Sequence, residues 1–314
     1  MSPQVTRSHP KTGIRNGLDR ERRPDLERLS LDGAFWRRLA RLGATRGPGW
    51  FVRLSPPLIG LAAYGVAKAQ RRQVARNLRR IRGERSALRD AVDVARTFAG
   101  YASCLAEILS AGSPNGSLPE VVVWGEPHVD DALADGRGIV FATAHTAGWE
   151  TVGPLMVRDH GFRIMIAEAP ERDAASRAIQ DDARRAHGLL VVHVGDDPLA
   201  ALPLARHLRE GGAVALQMDR APAGLRARTV ALFGERWRVP EGPLRLAALT
   251  GAPLVPVFVA RTGHRSYKVF NGRPIRLARA AGERELDDAA QSFADSLHVF
   301  LRAHPTQWFH FHED

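Results

Sequence analysis

The chain is poor in cysteine, lysine and long apolar runs, and each shortage excludes something. Among 314 residues there is one cysteine, Cys104. A lone thiol allows no internal disulfide and no thiolate metal site, and it fits a reducing compartment. Lysine occurs only at positions 11, 68 and 268, so the basic character is almost wholly arginine. The longest uncharged stretch, 246–260, is 15 residues long and is broken by Gly251, Pro253 and Pro256. A bilayer span takes about 20 apolar residues. The polar start, residues 1–30, carries no apolar core of a signal peptide. Three short motifs are also missing. Without Gly-x-Ser-x-Gly a serine hydrolase of the α/β type is excluded. Without a Walker A loop, or a Gly-x-Gly-x-x-Gly after a strand, nucleotide binding of the usual kinds is excluded as well.

What is present is unevenly spread. Residues 1–100 carry 22 basic and 8 acidic side chains, a net of +14, whereas 101–314 carry 23 and 26, a net of −3. Arginine binds phosphate through a fork of donors, so the first third is expected to meet a polyanionic surface. Nucleic acid and anionic lipid both qualify. Residues 1–30 read as a disordered basic tail. Residues 31–112 read as a helical, membrane-associating region. Within it, Val74, Leu78 and Ile81 share one helix face and arginines fill the rest. Aromatic and apolar groups at 33–43 and 50–61 suit the headgroup level of a bilayer. A further helix is expected over 86–111, with Cys104 in its core face.

From 113 to 314 the pattern is one α/β domain. Strands are expected at 120–124, 138–144, 162–167, 189–194, 213–218, 229–233, 254–260 and 266–271. Helices are expected at 149–160, 171–187, 197–210, 241–250 and 285–303. Such alternation predicts a layered αβα fold with a largely parallel central sheet.

The stretch from Gly138 to Glu150 stands out. An apolar run, buried on both faces as parallel strands are, ends at His145. A turn follows, and Glu150 sits five residues beyond the histidine. Ligands of open α/β sheets bind past the carboxyl ends of the strands. A histidine held there by a carboxylate can accept a hydroxyl proton near neutral pH. A second buried strand, 213–218, ends in Asp219 and Arg220. The arginine can meet a phosphate or an oxyanion; a structural Asp–Arg pair is the plain alternative. Gly242 and Pro243 open a helix whose N-terminus is suited to an anion. His310 and His312 near the end could bind metal, but a terminal cluster beside Trp308 reads as structural.

Taken together, His145-x4-Glu150, Asp219-Arg220, Phe233-Gly234-Glu235, Gly242-Pro243 and Thr250-Gly251-Ala252-Pro253 resemble the lipid A late acyltransferase family of the lysophospholipid acyltransferase superfamily. The closing stretch, Pro305-x-Gln307-Trp308-x-x-x-His312, is similar to that family's end. Asn77-Leu78 after arginines resembles its N-terminal region. The block 166–173 lacks the Asn that the family carries there. The resemblance implies transfer of a fatty acyl chain from acyl carrier protein or a coenzyme A thioester to a hydroxyl of a lipid or glycolipid. His145 is then the general base and Glu150 its carboxylate. Trp149, Asp219, Arg220, Glu235, Gly242 and Pro243 line the substrate site, and an acyl-sized channel opens at His145. The resemblance further implies no metal or organic cofactor, no nucleic acid, and a place on an anionic membrane at the cytoplasmic face of a bacterial inner membrane. A natural-product acyltransferase with a carrier-bound or small acceptor, and a non-catalytic nucleic-acid or membrane binder, are the competing expectations.

Overall fold

In a computed structural model of the chain, the described residues are 42–110 (apart from Ala44), 119–148, 161–168, 188–194, 198–222 and 224–312, with isolated positions between 153 and 185. The expected tail and the segment 33–41 lie outside them, as do Trp149, Glu150 and most of the two helices expected at 149–160 and 171–187.

The N-terminal part includes the helices α1 (Gly49–Val66), α2 (Lys68–Arg82) and α3 (Ala87–Ser110). They are followed by β1 (Glu120–Trp124), α4 (Glu126–Leu133), β2 (Ile139–Thr143), β3 (Ile164–Glu168) and β4 (Leu190–His193). Then come α5 (Leu202–Arg209), β5 (Ala213–Gln217), β6 (Ala227–Leu232), β7 (Glu235–Pro240) and α6 (Gly242–Thr250). The chain closes with β8 (Leu254–Gly263), β9 (Ser266–Asn271) and α7 (Glu283–Ala303). Seven strands form one sheet in the order β1-β9-β8-β2-β5-β3-β4, and β6 and β7 make a separate antiparallel hairpin. Every neighbouring pair in the large sheet is parallel except β8–β9. The expected mixed α/β fold with a mostly parallel sheet is therefore present.

β2 shows why its apolar run has no gaps. All five of its residues are buried. Val140 and Ala142 pack into the cluster under α5, α6 and α7, where Leu208, Leu244 and Phe293 lie. Ile139 and Phe141 pack the other way, with Cys104 of α3 and Val129 and Ala132 of α4. Period-two alternation sends neighbours to opposite faces, and both faces here are covered. Burying one such side chain contributes roughly 1.5–3 kcal/mol, so this strand resists displacement and gives the turn after it a rigid base.

That turn is held from three sides. The Phe309 amide donates to the His145 carbonyl at 2.7 Å, and the Ala147 amide donates to the Gln307 carbonyl at 3.2 Å. The Val259 amide of β8 donates to Thr146 Oγ1 at 3.2 Å. Gln307 is itself fixed to β8: its Oε1 accepts from the Arg261 amide at 2.7 Å and its Nε2 donates to the Arg261 carbonyl at 2.9 Å. Gly148 closes the turn at φ +75°, and a Cβ there would lie 2.2 Å from Tyr267 Cε1. Gly148→Ala should thus combine left-handed backbone strain of about 1 kcal/mol with overpacking of about 1–3 kcal/mol. A loss of about 2–4 kcal/mol in chemical denaturation is expected, and an unchanged midpoint would show that the turn is not held this way.

Candidate active site

His145 and Asp219 lie 74 positions apart in sequence and meet through strand register. β2 and β5 are parallel neighbours, with Thr143 opposite Gln217. The ladder runs on past the strand ends, since the Met218 amide donates to the Thr143 carbonyl at 2.8 Å. His145 is two residues beyond Thr143 and Asp219 two beyond Gln217, so both emerge side by side at the carboxyl edge. Their side chains bond at 2.8 Å, Nδ1 of His145 to Oδ1 of Asp219. An ionised carboxylate only accepts, so Nδ1 carries the proton and Nε2 keeps its lone pair. The imidazole is 27% exposed and the carboxylate is fully buried. A buried carboxylate behind a partly exposed imidazole leaves one ring nitrogen able to meet a substrate.

Asp219 is secured on every polar atom given a partner here. Trp308 Nε1 donates to its Oδ2 at 2.8 Å, and Trp237 Nε1 of β7 donates to its backbone carbonyl at 2.9 Å. Burial, the largest single influence, would raise the carboxyl pKa. The charge of His145, its hydrogen bond, the charge of His310 and the Trp308 hydrogen bond together outweigh burial, and the group is held well below the usual carboxylate range. Asp219 therefore stays ionised at neutral pH.

The aromatic setting ties this pair to the N-terminal helices. The rings of Trp237, Trp308 and His310 lie 5.2–5.4 Å apart, centre to centre. Asn77 of α2 donates through Nδ2 to the His310 carbonyl at 3.0 Å. Arg80, one turn on, stacks over Trp237 at 5.1 Å and donates through Nε to Glu235 Oε2 at 2.5 Å. The closing motif is thus a set of contacts: Gln307 grips β8, Trp308 grips Asp219, and His310 takes Asn77.

Below the turn lies a second buried carboxylate, Glu107 of α3. Arg261 donates to its Oε1 through Nε at 3.0 Å and Nη2 at 2.7 Å, and the Tyr267 hydroxyl donates to its Oε2. Cys104 sits beside it. Burial, then the Glu107 charge, push its thiol up to about 12, so it carries no thiolate to serve as a nucleophile.

The structure sorts the other expected site residues. Asp219 was expected to contact substrate; fully buried and bonded to His145 and Trp308, it is instead the imidazole's partner. Glu150 and Trp149 lie outside the described residues. Arg220 follows Asp219, half-buried, and its guanidinium has no hydrogen bond or ion pair among the described residues. Glu235 starts β7 and is taken up by Arg80. Gly242 and Pro243 open α6, but the carboxylate beside them, Glu241, is bound by Arg228 at 2.9 Å and Arg245 at 2.6 Å. The protein's own charges already surround that helix end. The space lined by Thr143, Ile166, Ala167, Glu168, Ala215 and Gln217 amounts to about 10 Å³, enough for one water. It is not the expected acyl channel. Sequence reasoning missed Trp237 and took Asn77 only as part of the resemblance. The signal available was a tryptophan in an otherwise charged segment, and an asparagine on the apolar face of an arginine-rich helix.

Comparison with known proteins shows the family. A family model of bacterial lipid A biosynthesis acyltransferases matches residues 41–314. Phosphatidylinositol mannoside acyltransferase of Mycobacterium tuberculosis (strain ATCC 25618 / H37Rv) is 30% identical over 190 residues, 60% of this chain and 57% of the relative. The protein of the same name from Mycolicibacterium smegmatis is 30% identical over 276 residues, 83% of this chain and 86% of the relative. The chain thus spans little more than half the length of the first relative. The chain belongs to the bacterial lipid A biosynthesis acyltransferase family.

Proposed function

We propose that the chain is an acyltransferase that moves a fatty acyl group from a thioester, on acyl carrier protein or coenzyme A, to a hydroxyl of a lipid or glycolipid. The His145–Asp219 pair at the carboxyl edge of the sheet carries this reading. His145 Nε2 takes the acceptor's proton, and the alcohol oxygen attacks the thioester carbonyl. The tetrahedral intermediate collapses, expelling sulfur, and the imidazolium returns the proton to the thiolate. The thioester is already activated, so no protein nucleophile is needed; positioning and charge stabilisation do the rest. Asp219 orients the ring, fixes its tautomer and stabilises the imidazolium. Arg220, without an internal partner among the described residues, is assigned to the donor or acceptor phosphate or to the oxyanion. The names of the two relatives support a glycolipid acceptor.

His145→Ala is expected to cost at least the 10²–10⁴-fold typical of a general base. Asp219→Asn leaves the shape and gives Nδ1 a wrong partner, a change that costs about 10⁴-fold in the serine-protease case. Glu150→Gln should cost less than either. Acyl transfer from a radiolabelled thioester measures all three. A Glu150→Gln loss larger than that of Asp219→Asn would return the orienting role to the His-x4-Glu spacing.

We further infer that the N-terminal helices seat the protein on an anionic membrane, at the cytoplasmic face of a bacterial inner membrane. On α1, Trp50, Leu54, Leu58 and Leu61 repeat at helical spacing and are 43–67% exposed. Lys68, Arg72 and Arg76 are exposed on α2. No helix among the described residues is long and apolar enough to cross a membrane, so the contact would be interfacial. Each basic residue near an anionic leaflet contributes about 1 kcal/mol. Flotation with liposomes should need anionic lipid, weaken as salt rises, and fall in Leu54→Asp. Equal binding to neutral liposomes in high salt would contradict this seat.

A further inference from the structure

The carboxyl edge of the sheet carries a second group of functional side chains, on β3 and β4, next to the β2–β5 pair that leads to His145 and Asp219. β3 and β4 are parallel neighbours, and their last residues, Glu168 and His193, are directly opposite each other. The ladder continues there, since the Val194 amide donates to the Glu168 carbonyl at 2.8 Å. Opposed residues of neighbouring strands project from the same face, so a carboxylate and an imidazole are brought together by register alone. Asp181, from the segment joining the two strands, completes the group. One potential ligand atom from each of the three lies within 4.8 Å of the others.

The internal bonding of this group is incomplete. His193 Nε2 and Asp181 Oδ2 are 2.9 Å apart, and Arg184 Nη1 donates to Glu168 Oε1 at 2.6 Å. Arg185 approaches Asp181 Oδ2 at 3.6 Å from solvent. Asp181 is only 5% exposed, yet its Oδ1 has no hydrogen-bond partner, and neither has the buried Nδ1 of His193. His193 Nδ1 lies 3.9 Å from Glu168 Oε1. Each buried polar atom left unsatisfied costs about 1–3 kcal/mol. Two such atoms in one three-residue cluster call for an occupant. A metal ion between His193 Nε2 and Asp181 Oδ2, 2.9 Å apart, would replace the proton they share. Arginines on the carboxylates are the outer partners that ligating carboxylates carry.

We propose that Glu168, Asp181 and His193 bind one divalent transition-metal ion of the zinc class. Two carboxylates and an imidazole are the N and O donors that such ions take, and three protein ligands leave a fourth position for water or an anionic oxygen. The site is separate from the His145–Asp219 pair and does not depend on the reaction assigned to it.

Titration of the metal-stripped full-length protein with Co²⁺, followed by visible absorption and by calorimetry with Zn²⁺, tests the proposal. One equivalent per chain is expected, with a raised melting temperature. His193→Ala and Asp181→Asn should each weaken binding at least tenfold, while His312→Ala leaves it unchanged. Glu168→Gln keeps the side-chain shape, and it decides the matter should His193→Ala fail to fold. Absence of a stoichiometric site at micromolar metal would overturn the proposal and leave water as the occupant. Binding that survives both His193→Ala and Glu168→Gln would overturn it equally.

Discussion

A charge without water around it organises this protein. Asp219 is ionised and fully buried, a state that costs several kcal/mol unless the charge is paired and hydrogen-bonded. The compensation comes from far apart in the sequence: His145 from the end of β2, Trp308 from the closing stretch, and Trp237 from the hairpin. Each donor is placed by a different packing problem. The sheet register places His145, α7 and the Gln307 contacts place Trp308, and the hairpin lying against α7 places Trp237. Removal of any one of these supports leaves a buried charge short of a partner, so the site and the fold are under the same constraint.

The N-terminal helices share in that constraint. Arg80 and Asn77 of α2 hold Trp237 and His310, the ring and the residue that flank the carboxylate. The helices that carry the exposed apolar and basic side chains are thus mechanically continuous with the His145–Asp219 pair. A membrane contact made by α1 and α2 would bring the acceptor's surface and the base into one frame.

Much of the fold was legible because buried parallel strands are apolar at every position. Eight of the nine strands lie where such runs, or alternating ones, predict them. β7 was missed because Glu235, Arg236, Arg238 and Pro240 give its segment the composition of a turn, although Trp237, Val239 and Pro240 are buried. α4 was missed because eight residues with a proline near the start give too little periodicity. α1 forms in spite of Pro56 and Pro57, within the region 31–112 expected to be helical. At the site, His145 was legible from its place at a strand end. Its bond to Asp219 was not: the spacing motif pointed to Glu150, which lies outside the described residues, and the Asp219 bond depends on which strands are neighbours. The same reason hid Glu168 and His193, which are 25 positions apart and become neighbours only when β3 lies against β4.

The central claim is that His145 and Asp219 act as one unit, and a double-mutant cycle on acyl transfer tests it most directly. Groups acting together show strong non-additivity. With thioester donor and lipid acceptor at saturation, the account predicts that His145→Ala combined with Asp219→Asn is no slower than His145→Ala alone. Losses that multiply, each substitution costing the same factor with or without the other, would show that the two residues work independently.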